Sequence, residues 1–160
     1  MIKFLKVFLL ILFIINFSNI SLSKENFYTE GVKLFNTKKY DEAKFLFERS
    51  IVLDPKDSKS YLYLAKIYKE KDNKKKEEKN LESTLLIDPA NEEAILMLME
   101  IALEKTNYSK VKKLSERFTK VCKNLCKENE QILKELENLE PKNESWFKSR
   151  QNLHNRFRFT

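Results

Sequence analysis

The sequence predicts an all-α fold of about three to four antiparallel helical hairpins stacked into a solenoid, and three observations predict it. Its 160 residues include one Gly and three Pro, too few for the tight β-turns and glycine-rich phosphate loops on which other fold classes depend. Charged residues make up 34% and hydrophobic residues 42%, a mixture that suits amphipathic helices and not a disordered chain. The phrase Leu53-Asp54-Pro55-Lys56-Asp57 returns as Ile87-Asp88-Pro89-Ala90-Asn91 with its prolines 34 residues apart, the period of a helix-turn-helix array. The length is that of one domain with a real core.

Residues 1–23 differ from everything that follows. Lys3 and Lys6 precede an apolar run from Val7 to Ile15, which Asn16, Ser18, Asn19 and Ser21 then dilute. This is the layout of a secretory signal. The unbroken run is nine residues, against the roughly 20 that a spanning helix needs. Ser21 and Ser23 are small residues before a cut between Ser23 and Lys24. An uncleaved anchor over residues 4–22 is the alternative. Both readings place the domain outside the cytoplasm, in the periplasm or cell envelope or as a secreted protein. No Cys follows the apolar run to carry a lipoprotein anchor.

In the first window, residues 24–57, Phe27, Gly31 and Leu34 fall about one and two turns apart on one helix face, and Ala43 and Phe47 are four apart on the next helix. Gly31 and Ala43 are small where two helices cross, and Phe47 fills the space beside them. Asp41, Ser58 and Asn91 are placed to cap helices, while Pro55 and Pro89 stop the helices before them. In window 58–91 the same offsets hold Tyr61, Leu64, Ala65, Tyr68, Leu81 and Pro89, with Glu77 at the place of Ala43. In window 92–125, Ile95, Leu98 and Ala102 keep the apolar spacing, but Met99, Ser115 and Lys123 replace the small residue, the aromatic and the proline. These offsets resemble the tetratricopeptide repeat, strongly in the first window, well in the second and weakly in the third.

Residues 126–160 complete a fourth window. Ile132, Leu133 and Leu136 keep an apolar face, Pro141 lands in the turn, and a second helix over Trp146 to Phe157 makes a degenerate capping hairpin. A competing frame makes residues 109–139 one long helix, because Val111, Leu114, Phe118, Val121, Leu125, Ile132 and Leu136 hold near-heptad spacing. The tail alternates Lys148, Arg150, Arg156 and Arg158 with Trp146, Phe147, Phe157 and Phe159 and contains no acid. It reads either as the cap or as a segment that docks on an anionic surface. Cys122 and Cys126 would stand about 5–6 Å apart between Cβ atoms on a continuous helix, too far for a disulfide, which needs about 3.5–4.5 Å. A bond therefore requires a helix break at Lys123 to Leu125; otherwise these are two thiols on helical faces.

The net charge is +7, most of it interleaved with acid as in Lys69-Glu70-Lys71-Asp72, which reads as a solvated helix face with no specific nucleic-acid site. With one histidine, His154, near the chain end, and no paired CxxC, phosphate loop or zinc-protease motif, the expectation is no enzyme, no cofactor and no metal. The tetratricopeptide resemblance implies a protein-interaction scaffold that binds a peptide or partner segment on the concave surface made by the first helix of each hairpin. Those positions are Tyr28, Val32, Phe35, Leu62, Lys66, Lys69, Leu96, Glu100 and Leu103; several of them read equally well as inter-repeat core. Where some relatives grip a chaperone's C-terminal carboxylate, this chain carries Tyr28, Val32, Tyr63, Glu93 and Met97, none of them the required donor or cation. The alternative function is docking on anionic lipid, wall polymer or nucleic acid through the tail.

Overall fold

The computed structural model describes residues 22–139, the first four of them by backbone alone. Residues 1–21 of the export segment, Pro141 and the tail from Trp146 to Thr160 lie outside the described residues. Seven helices and no strand are found among the described residues: α1 (Leu22–Asn36), α2 (Tyr40–Leu53), α3 (Ser58–Glu70), α4 (Lys74–Ile87), α5 (Glu92–Glu104), α6 (Tyr108–Val121) and α7 (Cys126–Leu139). They pair as hairpins α1–α2, α3–α4 and α5–α6, each packed on the next, and α7 closes the stack against α6 and α5. Residues 109–139 thus form two helices and not one long one. The fold is an all-α solenoid.

Each hairpin turns through the same device. Lys38, Asp72 and Thr106, spaced 34 residues apart, take positive φ values of 61°, 50° and 54°. The following amide reaches back to close the turn: Lys39 N–H donates to the Leu34 carbonyl, Asn73 to Tyr68 and Asn107 to Ala102, at 2.8–2.9 Å. This geometry ends a helix by satisfying its last carbonyls. It usually takes glycine, and here none is present; Thr106, β-branched, is the most strained of the three. Asn73 and Asn107 then cap α4 and α6 through Lys76 and Lys110 N–H, whereas α2 starts at Lys39 without a side-chain cap.

Between hairpins the Asp-Pro phrase does the turning. Asp54 Oδ1 accepts from Lys56 N–H at 3.1 Å, and Asp88 Oδ1 accepts from Ala90 N–H at 3.3 Å. Pro55 and Pro89, which share the repeat offsets with the seam residues, are solvent-exposed and so belong to the turns and not to the repeat core. Two caps also differ from expectation. Asp57 and not Ser58 caps α3, accepting from Ser60 N–H and from the hydroxyls of Ser50 and Ser60 at 2.8 and 2.6 Å; its carboxylate thereby satisfies two buried hydroxyls and ties α2 to α3. Asp41 lies inside the first turn of α2 and pairs with Lys71 instead of capping. Asn91 caps α5 as expected, through Ala94 N–H at 3.0 Å.

The seam residues form the core. Ala43, Phe47, Ala65, Leu81 and Ile95 are fully buried, and Leu64, Tyr68 and Leu98 nearly so. A Cβ on Gly31 would lie 2.9 Å from Phe47 Cε1, so glycine is needed for this close approach. Phe27, Leu34 and Tyr61 are half-buried at the edge of the seam. The departure from pattern, Glu77, is buried with its Oε2 lacking a hydrogen-bond partner. Lys74 Nζ stands 3.8 Å away but bonds Glu104. Burial raises the Glu77 carboxyl above the usual range, a shift that Lys74 and Lys69 only partly counter. Glu77→Ala, which restores the small residue, is therefore expected to raise stability at pH 7 by about 1 kcal/mol, the low end of the cost of an unsatisfied buried group. Because the folded-state pKa is raised, protonation favours folding. The gain over wild type should shrink as pH falls through the raised folded pKa and vanish below the unfolded value, which thermal melts at pH 7 and pH 4 would register.

The third inter-hairpin turn is built differently. Cys122 stands where Asp54 and Asp88 stand in the earlier turns, and it is joined to Cys126 by a disulfide with Cα atoms 5.5 Å apart. The helix break between them makes the bond possible. Glu92, at the start of α5, accepts from the backbone N–H groups of Lys123, Asn124 and Leu125 at 2.8–3.0 Å, so one carboxylate holds the entry to α7. These amides lower the Glu92 pKa. A depressed folded pKa contributes stability that is complete above the unfolded value, about 4.3, and lost as pH falls through the folded one. Protection factors of the α7 amides, exchange rates divided into the intrinsic rate at the same pH, should fall on acidification through that window in wild type and already be low in Glu92→Gln at neutral pH; identical protection in the two proteins would contradict this role.

Candidate functional site

Of the nine positions proposed for the partner surface, the structure leaves six accessible. Leu62, Leu96 and Leu103 are 6–8% exposed and packed within the central core cluster. They are inter-repeat core, because adjacent hairpins cover the face that a single repeat would leave open. The accessible positions are Tyr28, Val32 and Phe35 on α1, Lys66 and Lys69 on α3, and Glu100 on α5.

The accessible apolar part is aromatic and lies at the first hairpin. Tyr63 of α3 is packed among Phe47, Phe35 and Tyr28, with centroids 4.9, 5.3 and 5.8 Å away. Tyr28, Val32, Phe35 and Tyr63 are all half-buried, so they present ring edges and one β-branched side chain to solvent on a rigid base. Such surfaces bind with little loss of side-chain freedom. The Tyr28 hydroxyl is pushed up to about 12, mainly by burial and then by Tyr63 and Asp57. It therefore stays a neutral hydrogen-bond donor throughout the working pH range. The repeat offsets mark Tyr63 only as a position lacking a carboxylate-binding side chain; its place beside Tyr28 across the hairpin boundary identifies it as floor.

The rest of the surface is a ladder of opposite charges. Lys66 pairs with Glu93 at 2.8 Å, Lys69 with Glu100 at 2.6 Å, and Lys74 with Glu104 at 3.0 Å. The Lys66 ammonium also lies 4.8 Å from the centre of the Tyr63 ring. These pairs are partly solvated and worth little individually, yet they tie α3 and the start of α4 to α5 and offer both signs to an incoming polar segment. Among the described residues no group of three or more His, Cys, Asp or Glu side chains is arranged to hold a metal ion, and no helix is long and apolar enough to cross a membrane.

Comparison with known proteins places this geometry. Residues 46–79 match the family model described as Tetratricopeptide repeat. No curated protein sequence matches the chain. Among solved structures, the chain is similar to the type III secretion chaperone SycD of Yersinia enterocolitica in complex with a peptide of the translocator YopD, with 17% identity, a TM-score of 0.65, and 71% of this chain and 91% of that one covered. It is also similar to the TPR2B domain of yeast Sti1 in its complex with pHsp70, at 13% identity and a TM-score of 0.68, covering 74% of this chain and 99% of that one. The first TPR of Spaghetti (RPAP3), bound to the HSP90 peptide SRMEEVD, matches at 19% identity and a TM-score of 0.61 over 71% of this chain and 93% of that one. The fold is that of a tetratricopeptide-like solenoid, and the family model and these neighbours support the repeat reading.

Proposed function

We propose that this chain is a non-enzymatic scaffold that binds a protein or peptide segment across the surface of α1, α3 and α5. The carrying observation is the half-buried aromatic floor of Tyr28, Phe35 and Tyr63, flanked by the lysine-glutamate ladder. The structural neighbours lend support, since SycD and Spaghetti (RPAP3) are each seen with a peptide and Sti1 with pHsp70. The expected occupant is an extended or helical segment with apolar anchors, and not a chaperone's terminal carboxylate. At the places where such a carboxylate would be gripped, Glu93 is negative and already paired, and Met97 is buried.

The test is affinity capture with the tagged wild-type chain beside a Val32→Glu, Lys66→Glu variant, both changes lying on accessible positions. A partner retained by wild type and lost from a variant of equal melting temperature is the expected result. Equal retention by both would overturn the assignment of this surface.

The scaffold is further proposed to be exported. Support comes from the Lys3, Lys6 and Val7–Ile15 pattern and from the Cys122–Cys126 pair, since structural disulfides persist in oxidising compartments. Protein isolated from its native source is expected to start at Lys24. An intact mass that retains residues 1–23 would replace the cleaved signal with an anchor.

A further inference from the structure

At its C-terminal end the same surface opens into a groove of about 360 Å³ between α5 and α7, lined by Glu100, Leu103, Glu104, Ile132, Glu135 and Leu139. Its floor is apolar, its rim carries three carboxylates, and no cation lines it among the described residues. Glu100 and Glu104 are paired with Lys69 and Lys74, whereas Glu135 makes no ion pair among the described residues. The acidic bias extends along α7, which carries Glu128, Glu130, Glu135 and Glu137 but only two lysines, Lys127 and Lys134. Leu139, half-exposed, is both a wall of the groove and the last residue of α7.

The chain that continues from Leu139 has the opposite character. Residues 146–160 carry Lys148, Arg150, Arg156 and Arg158, no acid, and the rings of Trp146, Phe147, Phe157 and Phe159. Six residues separate Leu139 from Trp146, a reach of about 20 Å when extended, enough to turn back over a groove that begins at Leu139 itself. We infer that the tail of this chain is the intramolecular occupant of the α5–α7 groove, its rings on Leu103, Ile132 and Leu139 and its cations against Glu104, Glu135 and the acids of α7. Alternating rings and cations meet a floor of one kind and a rim of the other, so burial and charge favour the same pose. Glu100 belongs both to this groove and to the accessible partner surface, so a docked tail competes with a partner segment entering from α3. That regulatory consequence rests on the function proposed above; the docking itself does not.

Trp146 is the only tryptophan, which makes tail docking directly readable in the full chain. Trp146 emission should be blue-shifted and its acrylamide quenching several-fold below that of a free peptide of residues 144–160. Glu104→Lys with Glu135→Lys should raise quenching about threefold toward the peptide value by turning attraction into repulsion, while Glu42→Lys on α2 leaves it unchanged. Lys148→Glu with Arg150→Glu should release Trp146 in the same way, and combining both pairs of reversals should restore protection. Circular dichroism melts confirm that each variant is folded, and Glu135→Lys alone, an exposed change, serves if the double reversal is not. Quenching equal to the free peptide in wild type would overturn the proposal. So would protection indifferent to the groove reversals in folded protein, protection that rises with protein concentration and so marks a second copy, or protection that appears only with vesicles of anionic phospholipid. None of these readouts requires a partner, so the docking and the partner assignment fail separately.

Discussion

Phe47→Ala is expected to lower the unfolding free energy by about 3–5 kcal/mol, the range for truncating a fully buried aromatic. Phe47 has no exposed surface, stacks on Tyr63 of the next hairpin at 4.9 Å and meets Tyr28 of its own at 6.0 Å. Its ring also fills the space that Gly31 leaves empty, with three ring carbons placed to clash with any Cβ there. Glycine has no side chain that could move into the void, so relaxation recovers little of the loss. The change therefore removes contacts within the first hairpin and across its junction with the second. Lys75→Ala, an exposed substitution on α4, should stay within about 0.5 kcal/mol of wild type. Urea melts of the three proteins decide the matter, and equal midpoints for Phe47→Ala and wild type would refute the seam that the repeat spacing identifies.

The seam was legible because its packing tolerates few residue types. Gly31, Ala43 and Phe47 answer one another in size, and their spacing is fixed by helical geometry. Features set by backbone conformation were less visible. Asp57 and Ser58 are adjacent and both are good caps, so composition does not say which one has the non-helical dihedrals; the structure chooses Asp57 because its carboxylate also serves Ser50 and Ser60. The left-handed turn residues Lys38, Asp72 and Thr106 carry no glycine signal at all, and only their common 34-residue spacing relates them. The candidate surface was half legible. Repeat offsets identify equivalent positions but not whether a neighbouring hairpin covers them, which is why Leu62, Leu96 and Leu103 proved to be core while Tyr28, Val32 and Phe35, at the end of the stack, stay accessible. The α5–α7 groove is not legible in the sequence because the repeat pattern fades at Met99, Ser115 and Lys123, so the offsets no longer say that Glu135 and Leu139 share a groove with Glu104.

Removing the disulfide is expected to have the second-largest effect. The first two inter-hairpin turns are fixed locally by Asp54 and Asp88 bonding the amides just beyond their prolines. At the third, the aspartate is replaced by Cys122 and the proline by Lys123, so neither the side-chain acceptor nor the restricted backbone is present. A covalent link across four positions takes their place. Closing a loop of about five residues removes denatured-state entropy worth about 2 kcal/mol. The Glu92 carboxylate, bound to three amides of the same turn, remains when the bond is reduced, and it keeps α7 docked at neutral pH. Reduction with a thiol, or Cys122→Ser with Cys126→Ser, should therefore lower the urea midpoint and accelerate amide exchange most in α7, while the first two hairpins keep their protection. The double variant should be indifferent to reductant. Reduced and oxidised wild type with the same midpoint would mean that Glu92 alone holds the turn, and Glu92→Gln by itself would then be the change that releases α7.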